Sequence, residues 1–276
     1  MTLTVTNGFG ARLVQQATTG KSSGNETVLA LLKGHATVVT AHGSAFVQSI
    51  DGLGDHGTGG QPVNWFYYVN GVQAPKGAAA TTLNAGDRVW WDRHNSAADN
   101  VPAVVGSYPA PFAGGIDGER YPVTEICSAP SGAACATVAG RLRAVGVPLA
   151  FGALGTDEPQ TLRVLVGPWT ALRIDPTAVY LQQGPALSGV YGRFPSNGSQ
   201  LSLLDGDGRV TRTVSGSVGL VAADVIPMEV PTWLVTGTDT AGVDAAAHAL
   251  DASILRDHFA VAIVAGRVVP LPVSGP

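Results

Sequence analysis

The sequence predicts an α+β protein: one helix on a small, mostly antiparallel sheet over residues 1–95, then an α/β sandwich with two β-α-β units over 96–276. Three observations carry this. Residues 63–71, VNWFYYVNG, alternate bulky apolar side chains and stop at Asn70-Gly71, a pair suited to a turn whose two central residues need positive φ. Apolar positions three and four apart in ETVLALLKGH and AACATVAGRLRAVGV mark helices. TLRVLVGPW and TWLVTGT are nearly continuous apolar runs, as in strands buried on both faces.

Composition limits the function classes. A chain of 276 residues is long enough for two domains, each with its own core. Only 13% of residues are charged, and the 16 basic residues are spread singly in a chain of net charge -4, which excludes a phosphate-tracking surface and hence nucleic acid. With 36 Gly and 18 Pro in a chain that is 45% hydrophobic, the protein is folded and rich in turns. No apolar run approaches the roughly 20 residues of a membrane span. The start, MTLTVTNGFGARLV, lacks the charged and apolar regions of a signal peptide. Met1 opens directly on an alternating pattern, Leu3 and Val5, so we expect a mature, secreted, monomeric chain from which a signal peptide has been removed.

In chain order, Leu3 to Thr6 open as a strand, and Asn25 is placed to cap a helix over 26–33 that carries Val28, Leu29, Leu31 and Leu32 on one face. AFVQSI (45–50) and GDRVWWDRH (86–94) complete the small sheet. GLGDHG (52–57) has the G-x-G-x-x-G spacing, but a loop and a strand follow it instead of a helix, which excludes a dinucleotide fingerprint. That loop, with Asp55 and His56, is expected to form a rim beside the aromatic strand. Alternation places Trp65 and Tyr67 on one face and Phe66 and Tyr68 on the other; it likewise separates Trp91 and Arg93 from Trp90, Asp92 and His94.

Residues 96–115 are rich in Pro, Gly and Ala and read as the connection between the two parts. YPVTEI, the helix in 133–147 and TLRVLVGPW form the first β-α-β unit; TWLVTGT, a helix over 242–259 and AVAIVAG repeat its plan. Cys127 and Cys135 enclose seven residues, a spacing of neither a zinc pair nor a redox Cys-x-x-Cys. In an exported protein they close one disulfide loop; the other reading is two buried thiols. LSLLDGDGRVTRTV is a hairpin whose turn lacks the ligand pattern of an EF-hand, because Arg209 follows Asp205 and Asp207 where a third acidic ligand belongs. The six histidines are scattered and there is no G-x-S-x-G elbow. Asp92 and His94 read as a structural hydrogen bond. No metal or cofactor is required, and no catalytic residues emerge.

The ordered set ETVLALLKGH, GSAFVQSIDGL, VNWFYYVNGV and KGAAATTLNAGDRVWWDRH resembles the bacterial DUF4430 family, which is similar to the C-terminal β domain of transcobalamin and intrinsic factor. The resemblance covers residues 1–95 and leaves 96–276 unassigned. It implies a β-grasp-like N-terminal domain on an exported protein and names cobalamin, or a related corrinoid, as ligand. Those carriers enclose the corrin against a helical barrel, whereas the rest of this chain reads as α/β. The residues expected to line such a site are Trp65, Tyr67, Trp91, His94, Asp55 and His56. LRVLVGPW separately resembles a strand of SPOR peptidoglycan-binding domains, which makes envelope glycan another candidate partner. The leading expectation is a non-catalytic, extracytoplasmic ligand-binding protein; the alternative is a cell-envelope protein that binds glycan or another protein.

Overall fold

A computed structural model describes residues 1–20, 25–41, 46–54, 62–95, 101–156, 159–227 and 229–275. The chain opens with β1 (Thr2–Asn7) and β2 (Arg12–Thr18), enters α1 (Val28–Lys33), and passes through β3 (Val38–Ala41), β4 (Phe46–Ile50) and β5 (Leu53–Gly54) to β6 (Val63–Val69), β7 (Val72–Gln73) and β8 (Arg88–Asn95). One sheet has the order β2-β1-β8-β6-β7, antiparallel except where β1 lies beside β8; β3, β4 and β5 make a small antiparallel sheet. The predicted Asn70-Gly71 turn joins β6 to β7, with φ of 53° and 85°. The cap of α1 is Thr27 and not Asn25: the helix begins at Val28, so it is the Thr27 hydroxyl that reaches the Ala30 amide, at 3.2 Å.

Alternation along β6 and β8 sorts the aromatic rings as the sequence requires. Trp65, Tyr67 and Trp91 pack with Val28, Leu29, Leu31 and Leu32 of α1 in one core cluster. Tyr68 and Trp90, on the opposite face, belong to a second cluster built mainly from residues after 100. The far face of the aromatic sheet is therefore buried against the later half of the chain.

The segment after residue 100 is no exposed linker. It forms a 3-10 turn (Val105–Ser107) and α2 (Ala110–Gly114), with Val101, Val104, Val105 and Tyr108 buried. Its backbone ties both halves together: the Val104 amide donates to Gly71 and the Val105 amide to Phe259. Apolar side chains override the Pro and Gly content here, because burying them outweighs the turn preference.

Next come β9 (Val123–Cys127), α3 (Ala133–Ala144), β10 (Ala150–Gly152), β11 (Leu162–Pro168), α4 (Trp169–Leu172), α5 (Pro176–Gln182) and α6 (Pro185–Ser188). They are followed by β12 (Gly192–Arg193), β13 (Gln200–Leu204), β14 (Val210–Ser215), β15 (Val218–Asp224) and β16 (Thr232–Gly237), then α7 (Thr240–Ala249), α8 (Ala252–Leu255), β17 (Ala260–Val264) and β18 (Arg267–Leu271). A seven-stranded sheet has the order β10-β9-β11-β16-β15-β17-β18; β12, β13 and β14 make a third antiparallel sheet. Strands β10, β9, β11 and β16 run parallel; β9 and β11 pair as the first expected unit requires, but the strand that directly follows α3 is the short edge strand β10, which the sequence pattern does not mark. The second unit is split, since β15 lies between β16 and β17 and is antiparallel to both. The helix expected over 242–259 is two helices, because the Asp251 carboxylate caps a new start at the Ser253 amide.

Around Gly10 the two halves meet at backbone distance. It has φ of 82°, and a Cβ there would stand 1.9 Å from the Asp257 carbonyl oxygen. Gly10→Ala is expected to destabilise the fold by about 3 kcal/mol or more, combining left-handed strain with overpacking. Gly8→Ala, with φ of 77° and its nearest neighbour at 3.9 Å, isolates the backbone part and should cost about 1 kcal/mol. Urea unfolding of both variants checks the difference.

Candidate functional site

The residues expected to form an aromatic rim fall on two faces of one sheet, and those that are described are buried. Trp65, Tyr67 and Trp91 share the α1 face, where the Tyr67 and Trp91 rings pack at a tilt with centroids 4.8 Å apart and the Trp65 Nε1 donates to the Leu53 carbonyl at 3.1 Å. The Tyr67 hydroxyl bonds the Lys76 carbonyl and Thr81. His94 lies on the other face, 2% exposed, stacked between Phe66 at 4.3 Å and Phe9 at 4.5 Å. It makes the expected hydrogen bond to Asp92, 2.9 Å from Nδ1. Phe259 closes this face edge-on to His94 and Trp90. Alternation alone foretold the two faces; grouping His94 with the tryptophans as one rim disregarded it. Asp55 and His56 lie outside the described residues.

Concave surface occurs elsewhere: a pocket of about 170 Å³ lies at the junction, between Thr2, Thr4 and Arg88 on one side and Arg256 and Asp257 on the other, and larger ones lie in the later half. A cleft of about 370 Å³ lies at the start of β11, but its main charges serve the fold: Arg163 donates to Asp175 at 2.7 Å and to Thr177 at 3.0 Å. A second groove, of about 280 Å³, lies against β9, β10 and α3 and is lined by Glu125, Cys127, Pro130, Cys135, Arg143 and Phe151.

The groove lies at the edge of the seven-stranded sheet. The connection from β9 leads through α3 outward to β10, whereas β16 lies on the far side of β11. Parallel strands whose connections diverge leave a crevice beyond their carboxyl ends, here between β9 and β11, where Ser128, Gly167 and Pro168 line a small cavity; the 280 Å³ groove lies on the other side of β9, toward the edge strand β10. Cys127 ends β9 and Cys135 sits in the first turn of α3; they are joined as a disulfide, with Cα atoms 6.2 Å apart. The loop between them separates the groove from a smaller cavity of about 140 Å³ beside Gly167 and Pro168.

Two side chains give the groove its chemistry. Glu125 and Phe151 stand in register on neighbouring strands. Phe151 is 64% exposed, and the Arg143 guanidinium lies 5.5 Å from its ring centre. Glu125 is only 1% exposed, and its Oε2 has no partner. Its other oxygen lies 3.4 Å from the Cys127 sulfur. Burial pushes the Glu125 carboxyl up from its ordinary 4.5 to about 7, against the pull of Arg143. Glu125, Cys127 and Cys135 place three potential metal ligands within 4.8 Å, but the disulfide withdraws both sulfurs from coordination. Sequence reading noted the cysteines but not Glu125. A lone acid inside the apolar strand VTEIC was the available signal.

These features define an α+β protein with a concave site at the disulfide-bearing end of a mixed sheet. Residues 25–95 match the family model described as a domain of unknown function, DUF4430. A search of curated proteins found no match.

Glu125 also sets a pH dependence. A carboxyl raised in the folded state contributes stability that is fully present below its unfolded value and is lost as pH rises through its folded value. The loss from Glu125 therefore falls between pH 4.5 and about 7. Glu125→Gln should flatten the fall in urea midpoint across that window, and parallel wild-type and variant curves would contradict the assignment.

Proposed function

We propose that the protein is a binding protein of the cell envelope that takes an extended peptide segment of a protein partner along β10. The observation that carries this reading is Phe151, a large apolar side chain exposed on the edge strand of the seven-stranded sheet and opening on the 280 Å³ groove. An edge strand offers unpaired N–H and C=O groups to an added strand, and alternate side chains of that strand supply specificity. Pro130, Ala136 and Ala139 give the groove apolar walls, while Glu125 and Arg143 give it one acid and one base. The disulfide supports an oxidising, extracytoplasmic setting.

The corrinoid implied by the DUF4430 resemblance has less support. It needs exposed rings, and Trp65, Tyr67, Trp91 and His94 are all buried. A glycan calls for a free aromatic platform, whereas Phe151 carries Arg143 over its face.

Random peptide libraries displayed on phage and selected on the immobilised protein test the reading. The expected winners compete for one site and lose more than about tenfold in affinity, 1.4 kcal/mol, on Phe151→Asp. Selection that yields no competing family, or winners indifferent to Phe151→Asp, would overturn it, as would saturable cyanocobalamin binding that Phe151→Asp leaves unchanged.

A further inference from the structure

We propose that the Cys127–Cys135 bond is a redox-active disulfide, which oxidises a dithiol entering the groove, with Glu125 as proton donor to the Cys127 sulfur. Three independent placements carry this. Both sulfurs line an open groove, and Cys127 is only half-buried. Cys135 lies in the first turn of α3, a helix of 12 residues whose N-cap, Gly132, has no side chain to satisfy the free amides. The positive end of that helix favours a thiolate and so makes Cys135 a good leaving group. Glu125 is a carboxyl removed from water, with one oxygen 3.4 Å from the Cys127 sulfur and the other unpartnered. A sulfur held in a disulfide has no proton to give that carboxyl, so the arrangement gains a use only when the bond opens.

The exchange balances as follows. A thiolate of the dithiol attacks the Cys127 sulfur; the new S–S bond forms as the Cys127–Cys135 bond breaks, and the electron pair leaves on Cys135. The second thiol of the same molecule loses its proton to water and attacks the first substrate sulfur. That step closes the substrate disulfide and expels Cys127, which takes the Glu125 proton. Two electrons pass from the dithiol to the protein, and water reprotonates Glu125. The other charged side chain lining the groove, among the described residues, is Arg143 of α3; β10 contributes Phe151 and Gly152. Arg143 favours ionised Glu125, and burial opposes it.

The test uses dithiothreitol, so it does not depend on the peptide reading: peptide binding and disulfide exchange can fail separately. Reduction of the native protein is expected to be at least about tenfold faster than that of the same chain unfolded in guanidinium, where the helix terminus and Glu125 are lost. Glu125→Gln should slow the native rate by about tenfold and flatten its pH profile near neutrality, leaving the unfolded rate unchanged. In the reduced protein, ultraviolet titration should place one thiol below the ordinary value of about 8.5. A native disulfide reduced more slowly than the unfolded one would overturn the proposal and leave the bond a structural staple. So would a Glu125→Gln profile that superimposes on the wild type, or two thiols titrating at the ordinary value.

Discussion

The architecture of the first sheet and its junction with the second depend on one buried carboxylate, Asp92. It is fully buried and accepts hydrogen bonds from the Thr6 hydroxyl, the Phe9 and Gly10 amides and His94 Nδ1. Gly8, Phe9 and Gly10 all have positive φ, which turns two successive amides toward that one anion. Thr6 in turn accepts from Trp90 Nε1 at 2.7 Å. A buried charge is tolerated only when its lone pairs are satisfied, so β1, the turn after it and β8 are fixed relative to one another. His94 is thereby held between Phe9 and Phe66, and Gly10 is delivered to the backbone of Asp257.

That junction uses the aromatic surface that first suggests a ligand. Four rings on β6 and β8 (Phe66, Tyr68, Trp90 and His94) are matched by Phe9, Tyr191 and Phe259, with centroid separations between 4.3 and 5.9 Å. Aromatic residues bury large area and interlock at defined angles, which suits a rigid junction as well as it suits ligand stacking. The same composition thus serves either purpose, and only burial distinguishes them. With both faces occupied, the groove that carries accessible chemistry lies on the seven-stranded sheet, where α3 and the edge strand β10 leave it open beside β9.

What could be read in the sequence was what local physics controls. Period-two alternation gave β6, β8 and their faces; Asn70-Gly71 gave the hairpin; the apolar spacing of Val138, Leu142 and Val145 gave α3. What could not be read depended on partners distant in the chain. β2 exposes Leu13 and alternates weakly, and it is a strand because β1 pairs with it. The segment after residue 100 looks like a linker in composition, yet Val105 is completely buried. The break between α7 and α8 turns on whether Asp251 caps a helix or faces solvent in the middle of one, and both choices satisfy local rules.

The candidate site was legible in its sulfurs and illegible in its acid, and a second carboxyl shows why geometry has to decide. Asp224, like Glu125, has one oxygen without a partner and is pushed up by burial, from an ordinary 3.8 to about 7. Its other oxygen accepts from the Val225 amide at 2.7 Å, and it lines neither groove beside the disulfide. Its raised proton affinity is therefore a cost of ending β15 in the interior, with no reacting atom in reach. Glu125 experiences the same desolvation beside a sulfur and an open groove. Burial explains why both carboxyls hold their protons near neutrality; only the neighbour that can receive the proton gives one of them a chemical role.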